Sequence, residues 1–141
     1  MEPEIVDLAQ FLNKMGARVY GAGTNLVRIV GVSKLKEVSY RIMPDRIEAG
    51  TILIAAAMTA GEVTITDVIP EHISPLISKL TEVGCRIDTD KREITIKAPN
   101  RLKATDIKTL PYPRFSYRFA TNFFYNVNNS KRNISSYRKY I

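Results

Sequence analysis

A repeat inside the chain constrains its fold more than any other feature. Leu8, Leu12, Gly16, Arg18 and Val19 recur as Leu76, Leu80, Gly84, Arg86 and Ile87 at a constant offset of 68. Pro3-Glu4-Ile5 has a counterpart in Pro70-Glu71-His72-Ile73, and Met15-Gly16-Ala17 in Val83-Gly84-Cys85. After a slip of one residue, Val27 and Ile29 answer Ile94 and Ile96. Each copy must then be one supersecondary unit that buries its apolar face against a neighbour.

The spacing within the second copy shows what that unit is. Ile73, Leu76, Ile77, Leu80 and Val83 fall three or four apart, one apolar stripe along a helix, and Gly84 supplies its left-handed cap. Cys85 to Thr89 and Glu93 to Lys97 alternate around Asp88-Thr89-Asp90-Lys91, which predicts a hairpin. The first copy follows the same plan, with a helix over 5–15, Gly16 as cap, and strands on either side of Gly21-Ala22-Gly23-Thr24-Asn25.

Between the copies, Asp45 stands three residues before Glu48, a capping-box pattern that starts a helix over 47–60. That helix is apolar almost all round, which predicts burial between layers, and Gly61 ends it. Glu62 to Val68 alternates as a strand.

The expected class is α/β (α+β). Residues 39–99 form one complete repeat, ordered strand, helix, strand, helix, strand, strand. Residues 1–38 read as the second half of a preceding repeat, and 100–115 begin the next segment. A half-repeat leaves a sheet edge and a helix face without partners, so the body is expected to be a piece of something longer.

Charge divides the chain a second time. Of 21 Lys and Arg residues and 14 Asp and Glu residues, residues 1–113 hold 15 basic and all 14 acidic ones, a net of +1. Residues 114–141 hold the remaining 6 basic residues with no acid, together with 8 of the 12 aromatics. The strongly basic balance therefore belongs to the tail and says little about the body. One Cys and one His cannot make a structural zinc site, and the composition calls for no metal or cofactor. No apolar run reaches the roughly 20 residues of a bilayer span, and the N-terminus lacks a signal-peptide layout. A cytoplasmic location is the expectation.

Three segments, Pro3-Glu4-Ile5-Val6-Asp7, Met43-Pro44-Asp45-Arg46-Ile47-Glu48-Ala49-Gly50-Thr51 and Thr105 to Pro113, together resemble the UDP-N-acetylglucosamine 1-carboxyvinyltransferase family of enolpyruvyl transferases. The resemblance covers residues 2–115 and the middle quarter or so of a full family member. It implies a fragment of an inside-out α/β barrel in two domains with the substrate cleft between them. It also implies transfer of enolpyruvate from phosphoenolpyruvate to UDP-N-acetylglucosamine, with release of phosphate, in peptidoglycan (cell wall) synthesis. Glu2, Glu4, Asp45 and Arg46 match family positions at or near the cleft and are the expected substrate-binding residues.

No catalytic residue carries over. The family's reactive cysteine and upstream nucleotide contacts correspond to positions before Met1, and its proposed base lies in a Phe-Pro-Thr-Asp-Met/Leu-Gln segment. Here Phe115 matches and the pattern is then lost in Ser116-Tyr117-Arg118. The 141-residue chain is accordingly expected to be inactive by itself. Arg114 to Thr121 can be encoded AGA TTT TCC TAC AGA TTT GCA ACC. Removing one T lets it read Arg-Phe-Pro-Thr-Asp-Leu-Gln-Pro, so residues 116–141 are expected to be an out-of-frame, disordered tail.

Simpler readings stand beside the sharp ones. Cys85 is expected to be a small buried hydrophobe and His72 a solvated first-turn residue, and Gly21-Ala22-Gly23 a hairpin turn rather than a phosphate loop. The competing class is a small α/β binding module whose basic aromatic tail engages RNA or an acidic partner. The favoured reading expects no specific nucleic acid and no membrane, and leaves room for the missing remainder of the enzyme as a partner.

Overall fold

The computed structural model describes residues 2–105, 112–114 and 119. The chain divides into two compact units, Met1–Met43 and Pro44–Ile141.

In the first unit, α1 (Pro3–Lys14) leads into strands β1 (Arg18–Tyr20) and β2 (Arg28–Val30). Pro3 suits a first helical turn, whose N–H groups have no intrahelical partner in any case. Gly16 ends the helix at φ +99°, with Gly16 N–H donating to Asn13 O and Ala17 N–H to Leu12 O, both at 3.0 Å. A side chain would be strained at that angle. Asn13 then fixes the first strand, accepting from Val19 N–H and donating to Val19 O, each at 2.8 Å. β1 and β2 pair antiparallel with Val19 opposite Ile29.

Residues 31–45 carry no strand. The expected first strand of the 39–99 repeat is therefore not formed. A strand needs a neighbour to take its N–H and C=O groups, and among the described residues no strand lies alongside this stretch. Tyr40 instead holds the segment to α1. Its hydroxyl donates to Asp7 Oδ1 at 2.8 Å, and its ring lies against Phe11, with Lys14 Nζ 5.0 Å from the ring centroid.

The hydrogen bond to Asp7, with partial desolvation and the Asp7 charge, raises the Tyr40 pKa above the ordinary tyrosine value. A raised folded-state pKa contributes stability below the ordinary value of about 10, and that contribution is lost as pH rises through the folded-state value. Asp7→Asn should bring the Tyr40 titration back down. The difference in ultraviolet tyrosinate titration between the chain and its Tyr40→Phe variant reads this, and an unchanged titration in Asp7→Asn would refute the assignment.

The second unit runs through α2 (Arg46–Met58), β3 (Glu62–Thr66), a 3-10 turn (Pro70–Ile73), α3 (Ser74–Glu82), β4 (Arg86–Asp90) and β5 (Glu93–Lys97). Its sheet has the order β3-β5-β4, antiparallel throughout, with Val63 and Ile87 both opposite Ile96. Neither sheet closes, and helices and strands are mixed along the chain. The hairpin turn is tighter than expected, Asp90 pairing with Glu93 around Lys91 and Arg92.

β3 stops at Thr66 rather than Val68. Asp67 takes a positive φ of 54°, which a short polar side chain tolerates, and this turns Val68 into the core, where it is 1% exposed. Arg92 pairs with the Asp67 carboxylate, and its own C=O accepts from Val68 N–H at 3.2 Å. At the end of α2 the left-handed residue is Ala60, while Gly61 N–H donates to Ala56 O at 2.9 Å.

Leu53, Ile73, Leu80, Val83, Ile94 and Ile96 are fully buried and form the centre of this unit's core. The expectation that α2 is buried all round needs correcting. Ala49, Gly50, Leu53, Ile54, Ala56 and Ala57 face the core, but Ile52 and Met58 are 41% and 46% exposed. Among the described residues one sheet and one helix cover one side of α2, and Ile52 and Met58 on the other side stay partly exposed.

Candidate functional site

Asp45 is the N-cap of α2 in extended backbone. Its Oδ1 accepts from Ile47 N–H at 2.7 Å and Glu48 N–H at 3.2 Å, satisfying two donors that a helix start leaves open. Arg46 follows and is 3% exposed, with its guanidinium carbon 5.0 Å from the centroid of the Tyr112 ring. A planar guanidinium stacked on an aromatic face is held at little entropic cost and keeps a fixed fork of donors. A carboxylate fixed by two amides thus stands next to a fixed cation at one helix N-terminus, a position suited to polar, phosphate-bearing groups.

Glu2 is the N-cap of α1 without a side-chain capping bond, and Glu4 lies in the first turn; both are exposed. These two belong to the first unit, whereas Asp45 and Arg46 belong to the second. Asp45 and Arg46 are the expected site residues that the fold visibly brings into one arrangement. Nothing in the sequence singles out Tyr112, although it sits inside the Thr105–Pro113 stretch that carries part of the resemblance. A stacking partner so distant in the chain leaves no periodic signal.

Cys85 and Glu82 serve structure. Cys85 is 3% exposed in the core, and burial pushes its thiol pKa up, away from the thiolate a nucleophile needs. Glu82 is held below the usual carboxylate range first by the hydrogen bond from Lys79 Nζ at 2.6 Å, then by the Thr105 hydroxyl. That contact ties the segment after β5 to the end of α3. His72 is half-buried in the 3-10 turn rather than fully solvated. Among the described residues no three His, Cys, Asp or Glu side chains gather as a metal site would require. The Gly21–Asn25 stretch joins β1 to β2 and is a hairpin turn. The altered motif at 115–118 and most of the 116–141 tail lie outside the described residues. Of that tail Phe119 is described, its ring buried against Gly50 and Leu76.

The family description EPSP synthase (3-phosphoshikimate 1-carboxyvinyltransferase) matches residues 1–140. The chain belongs to the EPSP synthase family. Two EPSP synthase family relatives are named UDP-N-acetylglucosamine 1-carboxyvinyltransferase. That of Symbiobacterium thermophilum is 59% identical over 114 residues, 81% of this chain and 26% of the relative. That of Finegoldia magna is 57% identical over 116 residues, 81% of this chain and 27% of the relative. The chain thus spans about a quarter of the length of the relatives it matches. The crystal structure of the enolpyruvyl transferase NikO from Streptomyces tendae shares the fold, with a TM-score of 0.64 and 24% identity over 82% of this chain and 29% of that one. Within the EPSP synthase family, then, this chain's similarity is to the enolpyruvyl transferases that act on a nucleotide sugar by name.

Proposed function

We propose that the chain is a segment of an enolpyruvyl transferase of peptidoglycan synthesis, acting in the cytoplasm on UDP-N-acetylglucosamine and phosphoenolpyruvate. Within the inside-out α/β barrel that the resemblance implies, the second unit supplies Asp45 and Arg46 as substrate contacts, and the first unit supplies Glu2 and Glu4, each taken within its own unit. The observation that carries this reading is the 53–59% identity to transferases of that name, running through the Asp45–Arg46 helix start. Enolpyruvyl transfer joins two anionic substrates and generates phosphate, so a fixed cation and a fixed hydrogen-bond acceptor suit it. Arg46 would hold anionic oxygen through its fork, and Asp45 would accept from a substrate hydroxyl. As 141 residues alone, the chain is expected to release no phosphate from the two substrates.

The RNA-binding alternative gains no support. Its stacking aromatics lie outside the described residues, except Phe119, whose ring is buried and closed to a base.

Asp45 allows capping and substrate contact to be tested apart. Asp45→Ala should cost the chain about 1 kcal/mol of stability, while Asp45→Asn, an equally good cap, should cost little. With residues 2–115 grafted into the Finegoldia magna relative, Asp45→Asn should lower kcat/KM about ten-fold or more. Arg46→Lys should do the same by losing the two-pronged grip. Full turnover in both grafted variants would overturn the assignment of Asp45 and Arg46 as substrate contacts.

A further inference from the structure

Arg46 carries a full charge with only 3% of its surface exposed, so the protein must accommodate that charge. The guanidinium carbon lies over the Tyr112 ring, 5.0 Å from its centroid. What the ring contributes differs from what a carboxylate would. An ion pair engages guanidinium N–H donors, the same groups an anionic substrate needs. A ring face stabilises the cation through its quadrupole and brings no oxygen lone pair to those donors.

The stretch leading to Tyr112 is fastened at its start. Lys103 N–H donates to Val83 O at 2.8 Å, where α3 ends. The Thr105 hydroxyl, in a residue 8% exposed, donates to Glu82 and accepts from Lys79 Nζ at 3.3 Å. Lys79 Nζ donates in turn to Glu82 Oε2 at 2.6 Å. α3 and α2 share one core through Leu53, Leu76 and Leu80. The ring and the guanidinium therefore belong to a single packed unit.

We propose that Tyr112 is a positioning residue, whose ring holds the Arg46 guanidinium ready to receive an anionic oxygen of substrate. The contact stands on the geometry, and its use in turnover rests on the proposed function. The hold comes from the π face of Tyr112, not from its bulk or its hydroxyl. It also calls for arginine at position 46. A planar, weakly hydrated guanidinium spreads over a ring, whereas a lysine ammonium is a strongly hydrated point charge. Tyr112→Phe keeps the π face, and Tyr112→Leu keeps apolar bulk without it.

The contact is tested first in the full 141-residue chain by proton NMR of the Arg46 side chain. Ring current should shift its Nε–H and δ protons upfield in the native chain and in Tyr112→Phe. Tyr112→Leu should return them to ordinary arginine positions, and protons that do not move overturn the proposal. Turnover is then read in the Finegoldia magna graft. Tyr112→Leu should lower kcat/KM about ten-fold, the scale of a desolvated cation–π contact, and Tyr112→Phe should stay within about two-fold of the unsubstituted graft. The KM values of the two substrates show which of them Arg46 grips. In an Arg46→Lys background, Tyr112→Leu should cost less than about two-fold more, since the two residues act as one. Equal losses in both backgrounds would mean that the ring acts apart from Arg46, and would overturn the proposal. Full turnover in Tyr112→Leu beside an impaired Arg46→Lys would sink it and leave the functional reading standing. Full turnover in Arg46→Lys would sink the functional reading instead, and the proton shifts alone then decide the contact.

Discussion

Leu76→Ala is expected to destabilise the chain by about 2–5 kcal/mol, whereas Leu8→Ala should change stability by no more than about 0.5 kcal/mol. The two leucines occupy one position of the repeat, so helix propensity and local sequence largely cancel in the comparison. What differs is cover: Leu76 is 1% exposed and Leu8 50%. Removing Leu76 loses its transfer free energy and leaves a cavity under α2 that neighbouring side chains fill only in part. Removing Leu8 deletes a side chain already half in water. Urea midpoints at constant m would read the difference. Equal losses would mean that the first unit has a core comparable to the second, contrary to the unequal burial.

Gly50→Ala is the second large expectation, and its sign depends on Phe119. A Cβ at Gly50 would overlap the Phe119 ring and stand 2.9 Å from a Leu76 methyl, closer than packed atoms come. Alanine in a helix interior ordinarily gains about 0.5–1 kcal/mol over glycine. Overpacking costs about 1–3 kcal/mol and wins here. The expected result is a net loss of about 1 kcal/mol. In a Phe119→Ala background the ring is gone, and the same substitution should cost about 1 kcal/mol less, because only the flexible Leu76 end must yield. Identical effects in the two backgrounds would show that Phe119 does not fill the notch.

Features encoded within a short stretch of chain are legible in the residues alone. The spacing of Ile73, Leu76 and Leu80, the glycines after each helix and the Asp45 cap all rest on contacts a few residues apart. Features that depend on distant partners are not. The expected first strand of the 39–99 repeat has no neighbour among the described residues to pair with. The all-round apolar character of α2 indicates burial on every side, yet Ile52 and Met58 stay substantially exposed. The Leu35-Lys36 and Leu102-Lys103 correspondence, which extends the repeat past the hairpin, becomes visible once both lysine amides are seen returning to the helix ends. Of the candidate site, Asp45 and Arg46 are legible through the resemblance. The Tyr112 ring under the guanidinium and the Phe119 ring against Gly50 emerge only from the fold.

Residues 2–115 are proposed to be a segment of an enolpyruvyl transferase. Phosphate release from the two named substrates by the unsubstituted graft in the Finegoldia magna relative decides this. Turnover within about ten-fold of that relative is expected, since a segment 57% identical should preserve the cleft. A graft that folds, by circular dichroism and cooperative melting, yet releases no phosphate would contradict it.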